Sequence, residues 1–347
     1  MRDFRYDIVR FTAIIFVLAI HVQHIIPNAG IVGTVFHMVA PMLLFTANAM
    51  FFFMSGKFNI KERSDDQLSI YYYRKFRNIL IPSFVYIALI ALCTVSPFSA
   101  GFSAFTTEVV DGFIGSYSNQ LPWFIFTLSG FLLAAPFLAP SLKGMSDYSQ
   151  RFFLLLGLIF LSFEFVFENM GYTFSWTYLF GNWAFAFCAG AFADGFFNTT
   201  RRKKKLLILF IVSWLLTFVC IKFGWTAGLY SFSPMYMIIA MVVLLSLLQV
   251  SSLVSFGDRC SKVISLIAKH SFGIYLLHWF IIQYLAGIVG CHGGLIGFLI
   301  YIAVVMIGLI STLVVSILVE MILIKPLQLI FDFCSQSLSK AFLNKHN

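Results

Sequence analysis

Long apolar stretches, separated by short polar or glycine- and proline-containing breaks, fill most of the 347-residue chain. A helix that crosses a bilayer needs about 20 mostly apolar residues, and several of these stretches reach that length. The pattern predicts about ten transmembrane helices, near residues 7–26, 34–57, 74–97, 121–140, 152–169, 175–197, 205–223, 233–254, 263–288 and 294–324. We therefore expect an all-α polytopic membrane protein. Residues 1–347 should form one membrane-embedded domain with no appended soluble domain.

The composition agrees with this pattern and excludes a water-soluble globular domain. Hydrophobic residues make up 60% of the chain and charged residues only 11%, and the mean hydropathy is +0.92. The first apolar segment contains Arg10 and His21 and is followed by no small-residue cleavage pattern. We interpret it as a helix of the mature protein and not as a removable signal peptide.

The formal net charge of +9 indicates how the chain is oriented in the membrane. Lysines and arginines of short loops concentrate on the cytoplasmic side of membrane proteins. With ten helices and a cytoplasmic N-terminus, every Lys and Arg except Lys222 falls on that side. We therefore predict that both termini are cytoplasmic and that the charge serves topology, with the lipid bilayer and no nucleic acid as its partner. The basic run at residues 201–205 fits a cytoplasmic stop signal, and a site for anionic lipid or nucleotide phosphate is the alternative.

Six cysteines are scattered singly along the chain, mostly within apolar runs. They show no CxxC pair or other metal-ligand spacing. We expect them to be packing residues, and we predict no metal site.

The first helix concentrates its polar residues on one stripe. Steps of three or four residues connect Asp3, Asp7, Arg10, Ile14, Val17, His21, His24 and Asn28. Eleven helical residues advance by about 1100°, so Arg10 and His21 lie within about 20° of one face and about 16 Å apart along the axis. This stripe should face the protein interior, because charged and polar side chains are costly in hydrocarbon.

The stripe also has a chemical interpretation. Asp7 and Arg10, at positions i and i+3, can form an ion pair near the cytoplasmic end. His21 lies in the outer half of the membrane, where a neutral imidazole beside a substrate hydroxyl is a competent general base. The alternative is a histidine that packs through a hydrogen bond to a neighbouring helix.

Five motifs in order give the chain a family resemblance. They are DIVRFTAIIFVLAIH, FFFMSGKF, YYYRKFRNILIP, LPWFIFTLSGFLLAAPFL and SFGIYLLHWF, and together they span almost the whole chain. The set resembles the acyltransferase family 3 membrane proteins, in which an arginine or lysine precedes a histidine by eleven positions. One departure is Lys57, where the family commonly has an aromatic residue after Ser-Gly.

The resemblance implies transfer of an acyl group, usually acetyl, from cytoplasmic acyl-CoA to a sugar hydroxyl. The acceptor would be a carbohydrate or lipid-linked glycan such as an O-antigen, capsule or exopolysaccharide unit, modified in a bacterial plasma (inner) membrane. Acetyl-CoA would be a donor substrate and not a bound cofactor. We expect His21 to deprotonate the hydroxyl and Arg10, paired with Asp7, to orient the donor; a histidine-bound acyl intermediate is the alternative.

Further donor contacts are expected at the cytoplasmic side. The candidates for contacting the CoA phosphates or carbonyls are Arg10, Arg74, Lys75, Arg77 and Ser55. A topology anchor is the alternative for Arg74, Lys75 and Arg77, and helix packing is the alternative for Ser55. Roles for Trp123, Tyr275 and His278 do not follow from the sequence.

A transporter or exporter of a small anionic metabolite is the competing functional class. Arg10 and His21 would then form a substrate and proton site. The chain shows no internal repeat or matched pair of broken helices, which argues against this class. A membrane sensor that binds acyl-CoA without turnover is a third alternative.

Overall fold

A computed structural model describes residues 3–95, 101–114, 123–173, 181–192, 200–231, 233–254 and 256–345. These residues form helices joined by turns, and no β-strand occurs among them. Seven helical stretches of the described chain are long and apolar enough to cross a bilayer, and Leu206–Lys222 is a shorter apolar helix. The prediction of an all-α polytopic membrane protein is confirmed. The number of ten spans and the cytoplasmic termini stay predictions.

The helices are numbered here in chain order. They are α1 (Phe4–His21), α2 (Gly30–Leu44), α3 (Thr46–Asn59), α4 (Asp65–Lys75), α5 (Ile81–Thr94), α6 (Phe102–Ile114), α7 (Trp123–Lys143), α8 (Asp147–Asn169), α9 (Asn182–Gly190), α10 (Thr200–Lys222), α11 (Pro234–Leu253), α12 (Asp258–Val289), α13 (Gly294–Val319) and α14 (Lys325–Lys345). A π-helical segment, Phe76–Leu80, joins α4 to α5, and a second one, Glu320–Ile324, joins α13 to α14. Of the predicted helix 175–197 the structure describes only residues 181–192, and the rest lies outside the described residues.

Helix α1 lies at the centre of the molecule. It packs against α3, α11, α12 and α13, and its side chains Val9, Ala13, Ile14 and Leu18 are fully buried. Because neighbours cover most of its circumference, Asp7 is buried and Arg10 and His21 are partly buried in protein, whereas Arg5 at the start of the helix is exposed.

The end of α1 differs from the prediction. The helix stops at His21 and is followed by a short 3₁₀ turn, Gln23–Ile25, instead of continuing to residue 26. Ile26, which precedes Pro27, has extended backbone, because a proline disfavours helical backbone at the residue before it. His24 and Asn28 are therefore exposed and do not extend the polar stripe.

The third predicted helix begins earlier than expected. Helix α4 begins at Asp65 and is capped reciprocally by Ser64 and Gln67, so the helical path runs from Asp65 through the π-helical segment to Thr94. Residue 74, predicted as a helix start, consequently lies in the middle of a continuous helix. The apolar pattern predicted the hydrophobic part of this helix and missed the polar helical turns that begin at Asp65.

Helices α3 and α9 pack with their backbones in close contact. A Cβ added at Gly56 would collide with the carbonyl of Phe187, and one added at Gly190 would collide with the carbonyl of Phe53. Small residues allow such close approach between membrane helices. In the Ser-Gly segment of α3, Gly56 thus allows the close packing of α3 against α9.

The cysteines only partly follow the prediction. Cys188 is buried and Cys220 is half-buried, whereas Cys93, Cys260, Cys291 and Cys334 are exposed on the protein surface. All six are free thiols. The packing prediction is therefore wrong for the exposed ones, because an apolar run in a membrane protein also includes side chains that face lipid.

Candidate active site

Asp7 and Arg10 form the expected pair at the first turns of α1. Arg10 Nη1 lies 3.3 Å from Asp7 Oδ1, and the Asp7 side chain is almost completely buried. The Ser265 hydroxyl of α12 donates a hydrogen bond of 3.1 Å to the other carboxylate oxygen of Asp7. The predicted ion pair is confirmed, and Ser265 is a third member that the sequence did not indicate. Both oxygens of this carboxylate are satisfied, as a buried charge requires.

His21 ends α1 beside two side chains of α12. The centroid of its ring lies 5.0 Å from that of His278 and 5.0 Å from that of Trp279. The main-chain carbonyl of His21 accepts a hydrogen bond from the Gln283 amide, at 2.8 Å. Within the described part of the chain, no side-chain or main-chain group makes a hydrogen bond to the His21 imidazole. The packing alternative, in which this imidazole bonds to a neighbouring helix, is therefore not favoured.

The hydrogen bonding of His278 assigns its tautomer. Its Nδ1 bonds to the carbonyl oxygen of Tyr275, one turn earlier in α12. A carbonyl only accepts, so Nδ1 carries the proton and Nε2 carries a lone pair. That Nε2 is buried and has no hydrogen-bond partner among the described residues. Leaving a buried acceptor unpaired costs free energy. Such an atom is suited to accept a hydrogen bond from a ligand or from a neighbouring ring.

Aromatic rings extend from this histidine pair toward the start of α7. Tyr275 contacts Phe124, with ring centroids 4.6 Å apart, and Phe124 contacts Phe52 at 4.9 Å. Trp183 lies 5.2 Å from Phe52 and 5.3 Å from Trp123. Trp123, whose role did not follow from the sequence, is thus part of a connected aromatic wall, and Trp183 of α9 was not anticipated.

Two cations surround the C-terminal end of α3. The Arg63 guanidinium donates to the main-chain oxygen of Asn59 at 2.9 Å, and the Lys75 ammonium donates to the Asn59 side-chain oxygen. Both cations lie over the Tyr71 ring, at 4.1 Å for Arg63 and 4.9 Å for Lys75. Among the described residues neither cation forms an ion pair with a carboxylate. This arrangement leaves two positive charges beside one ring.

Arg10 and Ser55 belong to the same region. The Arg10 guanidinium lies 5.5 Å from the centroid of Phe58, the residue before Asn59. The Asn59 amide donates to the main-chain oxygen of Ser55 at 2.8 Å. Lys57, the departure from the family pattern, lies 5.6 Å from the Tyr6 ring of α1. The C-terminal end of α3 therefore contacts Arg10 of α1 through Phe58 and Lys75 of α4 through Asn59.

The structure does not bring Arg77 into this region. Its Nε donates to both carboxylate oxygens of Asp332 in α14, at 2.8 and 3.1 Å. Arg77 follows Lys75 by two helical positions, which places the two side chains on opposite faces. Arg74 is exposed at the surface. Of the predicted donor-binding residues, the fold thus groups Arg10 with Ser55 and separates Arg77 from both.

The arrangement is suited to acid–base chemistry and to binding of an anion. It offers two imidazoles at one end of α1 and guanidinium and ammonium groups at the other. The described residues contain no group of three or more His, Cys, Asp or Glu side chains that could hold a metal ion. His37 and His292 make hydrogen bonds to main-chain oxygens of Ile26 and Val289 and lie outside this arrangement.

Comparison with known proteins gives the activity class. A family model of the acyltransferase 3 type, described as an acyltransferase domain, matches residues 3–321, which is nearly the whole chain. No curated protein and no solved structure is significantly similar to the chain. The chain belongs to the acyltransferase 3 family, and acyl transfer takes precedence over the transporter alternative.

Proposed function

We propose that this membrane acyltransferase moves an acyl group, acetyl in the simplest case, from cytoplasmic acyl-CoA to a hydroxyl of an envelope carbohydrate in a bacterial inner membrane. The observation that carries the proposal is the pair formed by His21 and His278. Their rings lie 5.0 Å apart, and one of them presents a buried lone pair without a partner among the described residues. Arg10, on the same helix as His21, supplies a cation at the other end.

The donor would lie along α1. Arg10 and His21 are about 16 Å apart in helix rise, which is comparable to the reach of a pantetheine arm. The phosphates of CoA would then meet Arg10 together with Arg63 and Lys75, which lie around Asn59. We favour these two cations over Arg77, because Arg77 lies on another face of the helix, where it contacts Asp332. Arg74 stays a prediction from the sequence.

The proposed step conserves every atom of donor and acceptor. His21 removes the proton of the acceptor hydroxyl while the oxygen attacks the thioester carbon. The carbon–sulfur bond breaks, and the protonated His21 returns its proton to the thiolate, which gives an ester and free CoA thiol. His278 would be a positioning residue: in the reacting complex its free Nε2 would accept a hydrogen bond from the His21 N–H and thereby turn the other His21 nitrogen toward the hydroxyl. In the alternative route, that same His21 nitrogen attacks the thioester and carries the acyl group.

The acceptor would approach along the aromatic wall. Tyr275, Phe124, Phe52, Trp183 and Trp123 form a connected series of rings that begins at His278. Aromatic faces stack well against the apolar faces of sugar rings. A carbohydrate, free or lipid-linked, is therefore the acceptor class that we propose.

The direct test measures thiol release from acetyl-CoA by the purified protein, with and without glycan. Release that depends on glycan, together with a mass increase of one acetyl group on the glycan, is the expected result. A protein that binds acetyl-CoA but releases no thiol with any envelope glycan fraction would contradict the proposal and favour a sensor.

The donor site has a separate test. Replacing Lys75 or Arg63 by Gln should raise the Michaelis constant for acetyl-CoA by about 10- to 150-fold, since a charged hydrogen bond contributes roughly 1.5–3 kcal/mol. The same variants should leave the constant for acetyl-pantetheine unchanged, because that donor lacks the nucleotide phosphates. Lys61→Gln, an exposed cation nearby, is the matched control. Equal effects on both donors would contradict the assignment.

A further inference from the structure

A cavity of about 700 Å³ lies between the α4–α5 helix, α12 and the α13–α14 helix. We call it the α12–α14 cavity, and its charged and polar lining residues include Arg77, Asn78, Lys269, His270, Glu320 and Lys325. None of its described lining residues belongs to α1, which contains Arg10 and His21. The cavity is therefore a different place from the proposed acyl-transfer site.

The lining of the cavity is positive. Glu320 is contacted by His270 Nδ1 at 3.1 Å and by Lys325 Nζ at 3.6 Å. Arg77 is paired with Asp332, and Lys269 is exposed with no ion pair among the described residues. Arg77, Lys269 and Lys325 thus stand against the two carboxylates Glu320 and Asp332, which leaves one positive charge in excess.

Both π-helical segments of the described chain border this cavity. The lining residues Arg77 and Asn78 belong to the segment Phe76–Leu80. The lining residues Glu320 and Ile324 are the first and last residues of the other segment. A π-helical segment inserts one extra residue into an α-helix at a cost in hydrogen-bond geometry, and such segments recur at functional sites. Two of them at one cavity make this cavity a candidate functional site.

The cavity opens beside apolar surface. Phe76 is 46% exposed, and Leu329, a lining residue, is 66% exposed. Met321 and Ile322, next to Glu320, are 58% and 65% exposed. In a bilayer these side chains face acyl chains, so a ligand that fills the cavity and touches its rim has an anionic group and an apolar tail.

We propose that the α12–α14 cavity binds the phosphate headgroup of an anionic phospholipid. Lys269 and Lys325 would contact the phosphate, Arg77 would add positive charge while Asp332 holds it in place, and the acyl chains would lie over Leu329 and Phe76. The predicted orientation places these cations on the cytoplasmic side, where anionic lipids attract basic side chains. CoA carries the same phosphate chemistry, and the experiment distinguishes the two sources.

The experiment counts lipids on the full-length protein by native mass spectrometry after delipidation and addition of phosphatidylglycerol or phosphatidylcholine. The wild-type protein should retain phosphatidylglycerol preferentially. The double variant Lys269→Gln/Lys325→Gln should bind it about 30-fold more weakly, because each of the two basic residues near an anionic headgroup contributes about 1 kcal/mol. Lys61→Gln/Lys262→Gln removes the same charge from exposed sites outside the cavity and should change nothing.

A second arm adds 3′,5′-ADP, which carries the nucleotide phosphates of CoA without a lipid tail. It should not displace the bound phosphatidylglycerol. Displacement, equal lipid retention by the two double variants, or no preference in the wild type would each overturn the proposal. If the cavity double variant yields too little protein, Lys269→Gln alone serves, since this exposed side chain makes no ion pair among the described residues whose loss would unfold the protein.

Discussion

Replacing His21 by alanine separates a chemical role from a structural one. The His21 imidazole makes no hydrogen bond to another described residue, and its close neighbours are the rings of His278 and Trp279 at 5.0 Å. Losing two ring contacts costs about 0.5–1.5 kcal/mol each in stability. Losing a general base costs about 10²–10⁴ in rate, which is about 3–5.5 kcal/mol of transition-state stabilisation. Turnover should therefore fall far more than stability.

The assay is single-turnover acetyl transfer by purified protein, with the amount of folded protein normalised by size-exclusion chromatography. The wild-type rate should decline at acidic pH, where the base is protonated, and the residual activity of His21→Ala should lack that decline. Added imidazole should partly restore the variant, because the His21 site is only half-buried. His24→Ala is the matched control, since His24 is exposed on the turn after α1.

His278 extends the same test through a double-mutant cycle. If it acts by positioning His21, the variant lacking both imidazoles should be about as slow as His21→Ala alone, because residues that act as a unit are not additive. Additive losses would contradict the positioning role. A His21→Ala protein that folds normally and acetylates glycan at the wild-type rate would refute the whole reasoning, and His21 would then be a packing residue.

Three more predictions concern topology, donor orientation and packing. In single-cysteine variants of intact cells, an impermeant maleimide should label Cys291 and spare Cys260, both of which are exposed; the reverse pattern would invert the orientation. Arg10→Lys should retain part of the donor affinity and Arg10→Ala much less, as measured by the Michaelis constant for acetyl-CoA, because lysine keeps the charge and loses the planar fork; equal values for both would remove Arg10 from the donor site. Gly56→Val should destabilise the protein by about 1–3 kcal/mol through overpacking, which would lower its thermal unfolding midpoint in detergent. An unchanged midpoint would contradict the close α3–α9 contact.

The sequence predicts well the contacts between side chains that lie close together along one helix. The Asp7–Arg10 pair is a local i, i+3 contact, and the structure contains it. The contact between His21 and His278 joins residues 257 positions apart and depends on how α1 packs against α12. The spacing of polar and apolar residues along one helix does not predict this packing. The His278 tautomer likewise depends on one hydrogen bond, which only the folded helix supplies.

The cations of α4 show a second limit. Their positive-inside placement predicts which end of the helix they occupy and says nothing about which face each one covers. Consecutive helical residues differ by about 100° in direction, so Lys75 turns toward Asn59 while Arg77 turns toward Asp332. A π-helical segment begins directly after Lys75, and no simple residue pattern announces such a segment.

The central position of α1 has a consequence for biosynthesis. Helix α1 is synthesised before the neighbours that later enclose it, and the Ser265 hydroxyl that completes the Asp7 hydrogen bonds is synthesised 258 residues afterwards. During that interval α1 resides in the insertion machinery and the lipid without its final partners. Arg10, three residues from Asp7, is made almost at once and can neutralise the carboxylate from the beginning. We therefore expect the ion pair to lower the free-energy cost of inserting α1 into the membrane before the neighbouring helices are made.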